Sequence, residues 1–330
     1  MSAKLLYDNL FEKRDCLGKG GFGEVCKAIT KPAFTLVPVG TVVAVKLIKI
    51  DILKPTQVKD LKREIDILSV VSSYANNKCY KNIVCYYGSV EVEKDGEDYF
   101  AIVMEFIDGF KLSDYIDSLI KNYIDPMTGA EMSSYELTTE MTNEQIAGLM
   151  KQLLLALDYM HSLNIVHRDI KTDNIMYIPK SKILKYIDFG FSCFAVLDDV
   201  EHKCNFKTVG TPFNIAPELW KPYLEILAGA PIPTDTTIKD SKEIEMLKKA
   251  DMWALGMVFY ELLYGLVPYD LDKVDQIAIA IADKTQPVEF FEFEGDEYLE
   301  KLVKKMLFKR YKLRPTAKMA YQYLVKKYPD

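Results

Sequence analysis

The sequence predicts an α+β protein in two lobes: a small β-rich N-terminal lobe with one main helix, and a larger, mostly helical C-terminal lobe. Three observations support this fold class. Three segments within the first fifty residues read as strands, and the third carries a run of β-branched residues. One amphipathic segment of helical period follows them. Beyond the turn-forming dipeptide Asp108-Gly109, which marks the predicted lobe boundary, apolar residues recur mainly at helical spacing.

The N-terminal lobe is predicted to contain five strands and one helix. The strands are predicted over residues 11–17, 24–29, 41–48, 83–84 and 100–106. The third is the clearest, because residues 41–45 are β-branched apart from one alanine. The helix is predicted from about Pro55, since proline suits a first helical turn. Its apolar face is formed by Val58, Leu61, Ile65 and Leu68.

The C-terminal lobe begins with a helix that has a clear start signal. Thr142 and Gln145 have the spacing of a capping box. The apolar stripe that follows consists of Ile146, Leu149, Leu153, Leu157 and Met160. The most membrane-like run, residues 252–267, is interrupted by Glu261 and is too short to span a bilayer, so it predicts a buried helix. Two segments, about 121–141 and about 227–246, are predicted to be insertions.

Composition bounds the class of protein. The chain has 330 residues, 49% hydrophobic and 27% charged, with a net charge of −6, which disfavours nucleic-acid binding driven by charge. The N-terminus lacks the apolar core of a signal peptide, and no membrane insertion is expected. None of the six cysteines forms a C-x-x-C pair, so we expect reduced thiols in the cytoplasm or another reducing intracellular compartment. His202 with Cys204 offers two metal ligands at most, and solvated loop residues are the better interpretation.

The chemistry is indicated by two motifs in the second half of the chain. Residues 167–174 read His-Arg-Asp-Ile-Lys-Thr-Asp-Asn, and Asp-Phe-Gly follows at residues 188–190. Asn174 and Asp188 offer the hard oxygen ligands that Mg²⁺ prefers. Asp169, which precedes both of them in the chain, is a candidate general base beside these ligands. Transfer of a phosphoryl group from a nucleotide requires this combination, because charge must be neutralised and an incoming hydroxyl must be oriented.

A glycine-rich segment near the N-terminus provides the complementary element. Gly18 to Val25 fits the pattern G-x-G-x-x-G-x-V between two predicted strands, whereas a dinucleotide fold would place a helix after the glycines. Backbone N–H groups of such a turn can approach phosphate oxygens closely. Taken alone, the turn could equally be a tight hairpin without a ligand. Lys46 on the next predicted strand favours the phosphate interpretation, and Glu64 is its best predicted ion-pair partner.

Taken in this order, the motifs resemble those of the eukaryotic-type protein kinases. The resemblance includes Thr-Pro at 211–212, Ala-Pro-Glu at 216–218, the Asp-Met-Trp-Ala-Leu-Gly run at 251–256 and Arg-Pro-Thr at 314–316, and it covers about residues 11–324. It implies the bilobal protein kinase-like fold as a single kinase domain over residues 1–330. The implied N-lobe is about 11–107, the hinge about 105–110 and the C-lobe about 110–326.

The resemblance also implies a site for ATP and Mg²⁺. Asp169 would be the catalytic base, Lys171 and Lys46 would meet the phosphates, and Asn174 and Asp188 would hold the metal. Glu218 and Arg314 would form a buried ion pair. The implied nucleotide-binding residues are Leu17, Gly18, Gly20, Gly21, Phe22, Gly23, Val25, Ala44, Lys46, Glu64, Met104, Glu105, Ile107 and Met176.

The implied substrates are proteins with serine or threonine acceptors. Lys171 and Thr211 resemble the pattern of Ser/Thr kinases, and small-molecule kinases of related fold lack the Thr-Pro and Ala-Pro-Glu segment. Two alternatives remain: a pseudokinase scaffold, disfavoured because Lys46, Asp169, Asn174 and Asp188 are all kept, and dual specificity toward Thr and Tyr. Thr208 is the first candidate for a phosphorylated residue, and Ser192 is a weaker one.

Overall fold

The chain divides into two compact units, Met1–Asp108 and Gly109–Asp330. The computed structural model describes residues 5–20, 23–34, 36–72, 79–124, 131–196, 204, 208–232, 237–269, 271–291 and 295–330. The first unit combines a sheet with one long helix, and the second is mainly helical, so the predicted α+β fold class is confirmed. No helix within the described ranges has both the length and the apolar character needed to cross a bilayer.

The first unit is built on a five-stranded antiparallel sheet in the order β1-β2-β3-β5-β4. Its elements are α1 (Tyr7–Leu10), β1 (Phe11–Gly20), β2 (Gly23–Thr30), β3 (Val42–Lys49), α2 (Pro55–Ser72), β4 (Tyr86–Lys94) and β5 (Glu97–Glu105). Side chains alternate between the two faces of a strand. On β3, Val43, Val45 and Leu47 are fully buried in an apolar core that also contains Phe11. Ala44 and Lys46 therefore lie on the opposite face.

The predicted strand at residues 83–84 is wrong. Ile83 and Val84 are almost fully buried, but Ile83 forms an isolated bridge and Val84 belongs to no helix or strand, and the edge strand β4 begins at Tyr86. Two buried apolar residues can belong to a strand or to irregular backbone. Such a short run shows no period that would distinguish the two. The alternation of β4 itself is obscured because most of its side chains are only half buried.

The second unit is organised around a long buried helix, α7. Its elements are β6 (Phe110–Lys111), α3 (Leu112–Ser118), β7 (Ile120–Ile124), β8 (Glu131–Tyr135), α4 (Leu137–Glu140), α5 (Asn143–Ser162), β9 (Ile165–Val166), β10 (Ile175–Ile178), β11 (Ile183–Tyr186), β12 (Cys193–Phe194), α6 (Lys221–Leu227), α7 (Ser241–Tyr264), α8 (Val274–Ala282), α9 (Glu297–Met306) and α10 (Ala317–Val325). Every residue of α7 from Lys249 to Tyr260 is buried, which confirms the predicted buried helix. The Thr142–Gln145 capping box is also present, with both of its reciprocal hydrogen bonds.

The two segments predicted to be insertions contain regular structure. In the first, β7 and β8 form an antiparallel hairpin, and the Tyr135 hydroxyl donates to the Leu262 carbonyl at 2.7 Å. In the second, Asp240 caps α7 by accepting from two backbone N–H groups, so the last residues of the segment are helical. Parts of both predicted insertions are therefore regular structure: a hairpin in one case and the start of a helix in the other.

The expectation of six reduced cysteines is wrong for four of them. Disulfides join Cys79 to Cys85 and Cys193 to Cys204, with Cα atoms 5.4 and 5.2 Å apart. The spacing in sequence gave no sign of these pairs, because partners 6 and 11 residues apart meet only in the folded chain. Cys16 and Cys26 keep free thiols.

Candidate active site

The first unit brings four predicted nucleotide-binding residues to one face of its sheet. Val25 lies directly opposite Lys46 across β2 and β3, and Ala44 lies directly opposite Met104 across β3 and β5. Directly opposed residues share a face, so these four side chains are neighbours on the face away from the apolar core. Ala44 and Met104 are buried and Val25 is half buried, so this face combines three apolar side chains with the Lys46 cation.

The predicted ion pair between Lys46 and Glu64 is present. Lys46 Nζ lies 2.6 Å from Glu64 Oε1. Glu64 belongs to the buried stripe of α2 together with Leu61, Leu68 and Val71, whereas the sequence placed it beside the apolar face. The stripe is shifted because the helix accepts a carboxylate in a buried position once a cation neutralises it. Lys46 is thereby fixed in position on the sheet.

The glycine-rich segment is a hairpin formed by β1 and β2. Gly18 pairs with Val25 and Gly20 with Gly23, while Gly21 and Phe22 lie outside the described residues. Gly23 is required by packing, because a Cβ there would stand 1.7 Å from the Leu47 carbonyl oxygen. At Gly18, no described atom lies within 4 Å of that position. Leu17 beside it is half exposed.

The last strand of the first unit carries the remaining predicted residues. The Glu105 N–H donates to the Cys85 carbonyl at 2.8 Å, and the Glu105 carboxylate accepts from the Cys85 N–H at 3.2 Å. Ile107 follows the end of β5 and is buried. One backbone hydrogen bond and one side-chain hydrogen bond therefore tie Glu105 to Cys85, in the segment before β4.

In the second unit, Asp169 is the centre of a hydrogen-bond network. Its Oδ1 accepts from the Thr211 N–H at 3.1 Å and from the Thr211 hydroxyl at 3.3 Å. Its Oδ2 accepts from Asn174 Nδ2 at 2.8 Å and lies 3.7 Å from Lys171 Nζ. The carboxylate is buried and held from both sides, which fixes its orientation before any substrate arrives.

Asn174 and Asp188 fit the donor set of a magnesium site. Asn174 donates through Nδ2 to both the backbone carbonyl and the side chain of Asp169, which orients its Oδ1 away from them. Asp188 Oδ1 accepts from the Gly190 N–H at 3.0 Å, so this carboxylate is oriented by its own turn. Both residues present hard oxygen atoms, as Mg²⁺ requires. Met176 lies two residues after Asn174 on β10, half buried.

The backbone of the loop before Asp169 is held by Asp251 of α7. Asp251 accepts from the N–H groups of His167 and Arg168 at 2.8 and 2.9 Å, and lies 2.9 Å from His161 Nε2. Arg168 adopts φ 68°, a left-handed conformation that non-glycine residues rarely hold without such support. Although burial opposes ionisation, the hydrogen bonds from His161 and from the Arg168 backbone keep the pKa of Asp251 below its usual value.

His167 serves packing. Its ring lies 5.1 Å from that of Phe189 and 5.4 Å from that of Tyr186. Burial lowers the pKa of His167, so the imidazole is neutral at physiological pH even though Asp251 opposes the shift.

Sequence reasoning did not find the role of Thr211 and Gly210. The sequence indicates Thr211 only as part of a family motif, whereas in the structure its N–H and hydroxyl donate hydrogen bonds to the carboxylate of Asp169. Gly210 makes this approach possible, with φ 103° and a position where a Cβ would stand 2.8 Å from the Arg168 carbonyl oxygen. Because the contact joins residues 42 apart in sequence, no local pattern could reveal it.

The two candidate phosphorylation sites differ in exposure. Ser192 is fully buried and its hydroxyl donates to the His167 carbonyl, so its candidacy as an acceptor is not supported. The Thr208 hydroxyl is half buried and donates to the Leu219 carbonyl at 3.0 Å. Phosphorylation of Thr208 would have to break that hydrogen bond.

Glu261 of α7 provides a test through pH. Burial raises the pKa of Glu261 from 4.5 to about 7, the Thr172 hydrogen bond opposes this rise, and Asp173 and Asp117 add to it. A carboxyl group with a raised pKa keeps its proton in the fold after the unfolded chain has lost it. The free energy of unfolding should therefore fall as pH rises from about 4.5 to about 7, by on the order of 3 kcal/mol.

Glu261→Gln should flatten this dependence. The amide keeps a hydrogen-bonding group for Thr172 but does not titrate. Urea unfolding of both proteins at several values across that pH range measures the difference. Parallel curves for the variant and the wild type would contradict the assignment.

Comparison with known proteins identifies the family once this geometry is established. The chain matches the protein kinase domain model over residues 11–325. This chain belongs to the protein kinase family. The match covers both units, so the glycine hairpin with Lys46 and the Asp169 network lie within one kinase domain match.

Individual relatives of this protein kinase are similar at about 30% identity. Calcium-dependent protein kinase 5 of Plasmodium berghei is 31% identical over 264 residues, which are 79% of this chain and 35% of that protein. Serine/threonine-protein kinase dst1 of Dictyostelium discoideum is 29% identical over 309 residues, or 94% of this chain and 33% of that protein. Serine/threonine-protein kinase cst-1 of Caenorhabditis elegans is 28% identical over 262 residues, or 79% and 40%. The kinase therefore spans well under half the length of these relatives.

Proposed function

We propose that this chain is an active protein kinase that transfers the γ-phosphoryl group of Mg-ATP to serine and threonine hydroxyls of protein substrates. The observation that carries the proposal is the Asp169 carboxylate, which Thr211 and Asn174 hold in one orientation. Residues 1–330 would form a single kinase domain. The serine/threonine kinase names of the dst1 and cst-1 relatives support the acceptor class.

The first unit would bind the nucleotide. Val25, Ala44 and Met104 offer an apolar surface to the adenine ring, and the backbone at Glu105 and Ile107 offers hydrogen-bonding groups to its edge. The hairpin from Gly18 to Gly23 would place backbone N–H groups against the phosphates. Lys46 would contact the same phosphates as a point charge. Glu64 would hold Lys46 in the required position.

The second unit would carry out the transfer. Asn174 and Asp188 would hold Mg²⁺ through oxygen atoms, and the chemistry that the bound metal supplies is neutralisation of the negative charge on the γ-phosphoryl group. Asp169 would accept the hydrogen bond of the substrate hydroxyl, orient it and take its proton. Lys171, close to Asp169, would contact the transferring group. Met176 would contact the adenine ring.

The alternative is a pseudokinase that binds partners without transfer. It is disfavoured because Asp169 lies beside Asn174 and Lys171 and because Lys46 pairs with Glu64, contacts that support the proposed transfer. A scaffold has no need for a carboxylate that is buried and oriented from both sides. Dual specificity toward threonine and tyrosine is a second alternative, which the identity of the phosphorylated residue decides.

The test is a transfer assay with γ-labelled ATP and a generic basic protein. We expect label on serine or threonine after acid hydrolysis, and loss of transfer when a chelator removes Mg²⁺. Label on tyrosine as well would indicate dual specificity. If ATP binds but no label moves to protein under any metal condition, the pseudokinase is correct.

Lys46→Met should raise the KM for ATP by about 10–100-fold, because one charge-assisted contact with the phosphates is lost. Glu64→Gln should act in the same direction and more weakly, since Lys46 keeps its charge but loses its partner. The measurement is initial rate against ATP concentration.

Lys49→Met is the matched control. Lys49 lies on the same strand, pairs with Glu97, and its side chain has nearly the same exposure, 29% against 26% for Lys46. It lies an odd number of residues away and so on the other sheet face. An equal rise in KM for Lys49→Met and Lys46→Met would reject the phosphate role of Lys46.

A further inference from the structure

Two thiols and one carboxylate meet on the face of the first sheet that carries the apolar core. Cys16 of β1 and Cys26 of β2 are directly opposed across the strands, and their Sγ atoms are 3.2 Å apart. Glu24 Oε2 lies 3.4 Å from Cys16 Sγ. One ligand atom from each residue lies within 4.8 Å of the others. We name these three residues the thiol–carboxylate cluster.

The orientation of Glu24 divides its two oxygen atoms between different partners. Lys13 and Lys94 both donate to Oε1, whereas Oε2 faces Cys16. The two lysines thus fix the carboxylate without occupying the oxygen atom that faces the sulfurs. They also place two positive charges beside a group of donors that would become strongly negative if both thiols lost their protons.

We propose that the thiol–carboxylate cluster is a binding site for a soft divalent cation of the zinc class. Its ligands would be Cys16 Sγ, Cys26 Sγ and Glu24 Oε2, with water in the fourth position. Two thiolates and a carboxylate are a donor set that zinc accepts. Donors on a tetrahedral zinc ion lie about 3.5–3.8 Å apart, so the observed 3.2 and 3.4 Å need only small side-chain shifts.

The binding step balances without any oxidant. Two sulfur–metal bonds and one oxygen–metal bond form, the ion loses coordinated water, and two thiol protons pass to the solvent. The bound group would carry a net charge of −1, which Lys13 and Lys94 are placed to offset. A disulfide between the same sulfurs would instead need an oxidant such as a peroxide and would leave the oriented Glu24 oxygen without a ligand, so the geometry favours the metal.

The cluster lies at the base of the glycine hairpin. Cys16 precedes Gly18 by two residues, and Glu24 directly follows Gly23. Side chains of Glu24 and Cys26 alternate with Val25, so an ion would join the two strands from the face opposite Val25 and Lys46. Metal binding should therefore slow hydrogen exchange at the backbone amides of β1 and β2 near the cluster.

Titration of the full chain with Co²⁺ alone tests the proposal, because thiolate–cobalt bonds give a charge-transfer absorption band. We expect one equivalent per chain, displaced by Zn²⁺. Cys16→Ser should abolish the band, and Glu24→Gln should weaken binding by about tenfold or more. Cys16 is exposed, so this variant should fold, which circular dichroism would verify. The double variant Cys79→Ser/Cys85→Ser is the matched control and should keep the band.

Two results would overturn the metal site. One is a band that persists in Cys16→Ser, which would place the ligands elsewhere. The other is no band in wild type. In that case a thiol count and the intact mass distinguish the reasons. Two titratable thiols would mean a pair that does not bind metal. No titratable thiol, with a mass two hydrogens below that of the chain with two disulfides, would mean a third disulfide between Cys16 and Cys26.

Discussion

Asp169→Ala should lower kcat for phosphoryl transfer by about 10²–10⁴-fold while the affinity for ATP stays near wild type. In the structure the carboxylate is buried and receives hydrogen bonds from Thr211 and Asn174, so its proposed role is to orient the substrate hydroxyl and accept its proton. Neither role involves the nucleotide. Steady-state kinetics with saturating peptide, together with equilibrium ATP binding, measure the two quantities separately.

Asp173→Asn is the matched control. Asp173 lies four residues further along the same loop, and its side chain is 53% exposed. Within the described residues its ion pairing is limited to a long contact of 3.6 Å with Lys111. It should keep nearly wild-type kcat. If Asp169→Ala retains kcat, or if both variants lose it equally, Asp169 does not act as proposed.

Arg314→Met should lower the free energy of unfolding by about 3–5 kcal/mol, because it strands the carboxylate of Glu218 in a buried position. Arg314 is 1% exposed, and its two terminal nitrogens each donate to one Glu218 oxygen at 2.8 Å. The same guanidinium donates to the carbonyls of Lys249 and Phe308 and stacks over Trp253. The predicted buried ion pair is therefore confirmed, and it anchors the Ala-Pro-Glu segment to the unit.

The double variant Glu218→Gln/Arg314→Met separates the loss of the attraction between the two charges from the cost of leaving the Glu218 carboxylate without a partner. It should recover part of the stability, since no ionised group is then left without a partner. Lys301→Met, which removes an exposed helical ion pair with Glu297, is the surface control and should stay near wild type. Urea unfolding measures all three. If Arg314→Met is as stable as the surface control Lys301→Met, this account is wrong.

Local patterns predicted much of this fold, for physical reasons that particular residues illustrate. The capping box at Thr142 and Gln145 uses only neighbours in sequence, and the stripe from Ile146 to Met160 needs only helical period. The motif residues could be singled out from the sequence, because the proposed phosphate and magnesium chemistry restricts the residue types strongly. The Lys46–Glu64 pair followed from placing a cation on a strand and a carboxylate on the next helix.

Contacts between distant residues were not readable. The hydrogen bonds from Thr211 to Asp169, the disulfide between Cys193 and Cys204 and the meeting of Cys16 with Cys26 all depend on how the backbone returns on itself. The strand β4 was missed because its half-buried residues give no clean alternation. The glycine-rich pattern also left one requirement unseen. Gly23 is needed for close packing against Leu47, whereas the pattern predicts only a loop that approaches phosphate.

The most direct test of the central claim is single-turnover transfer from γ-labelled ATP to a peptide with one serine, followed over a range of Mg²⁺ concentrations. The wild-type chain should place label on the serine only when Mg²⁺ is present. Asp188→Asn, which weakens an oxygen ligand but keeps its size and its turn, should need far more Mg²⁺ or transfer no label. Transfer by Asp188→Asn at the wild-type rate and the wild-type Mg²⁺ dependence would contradict the account.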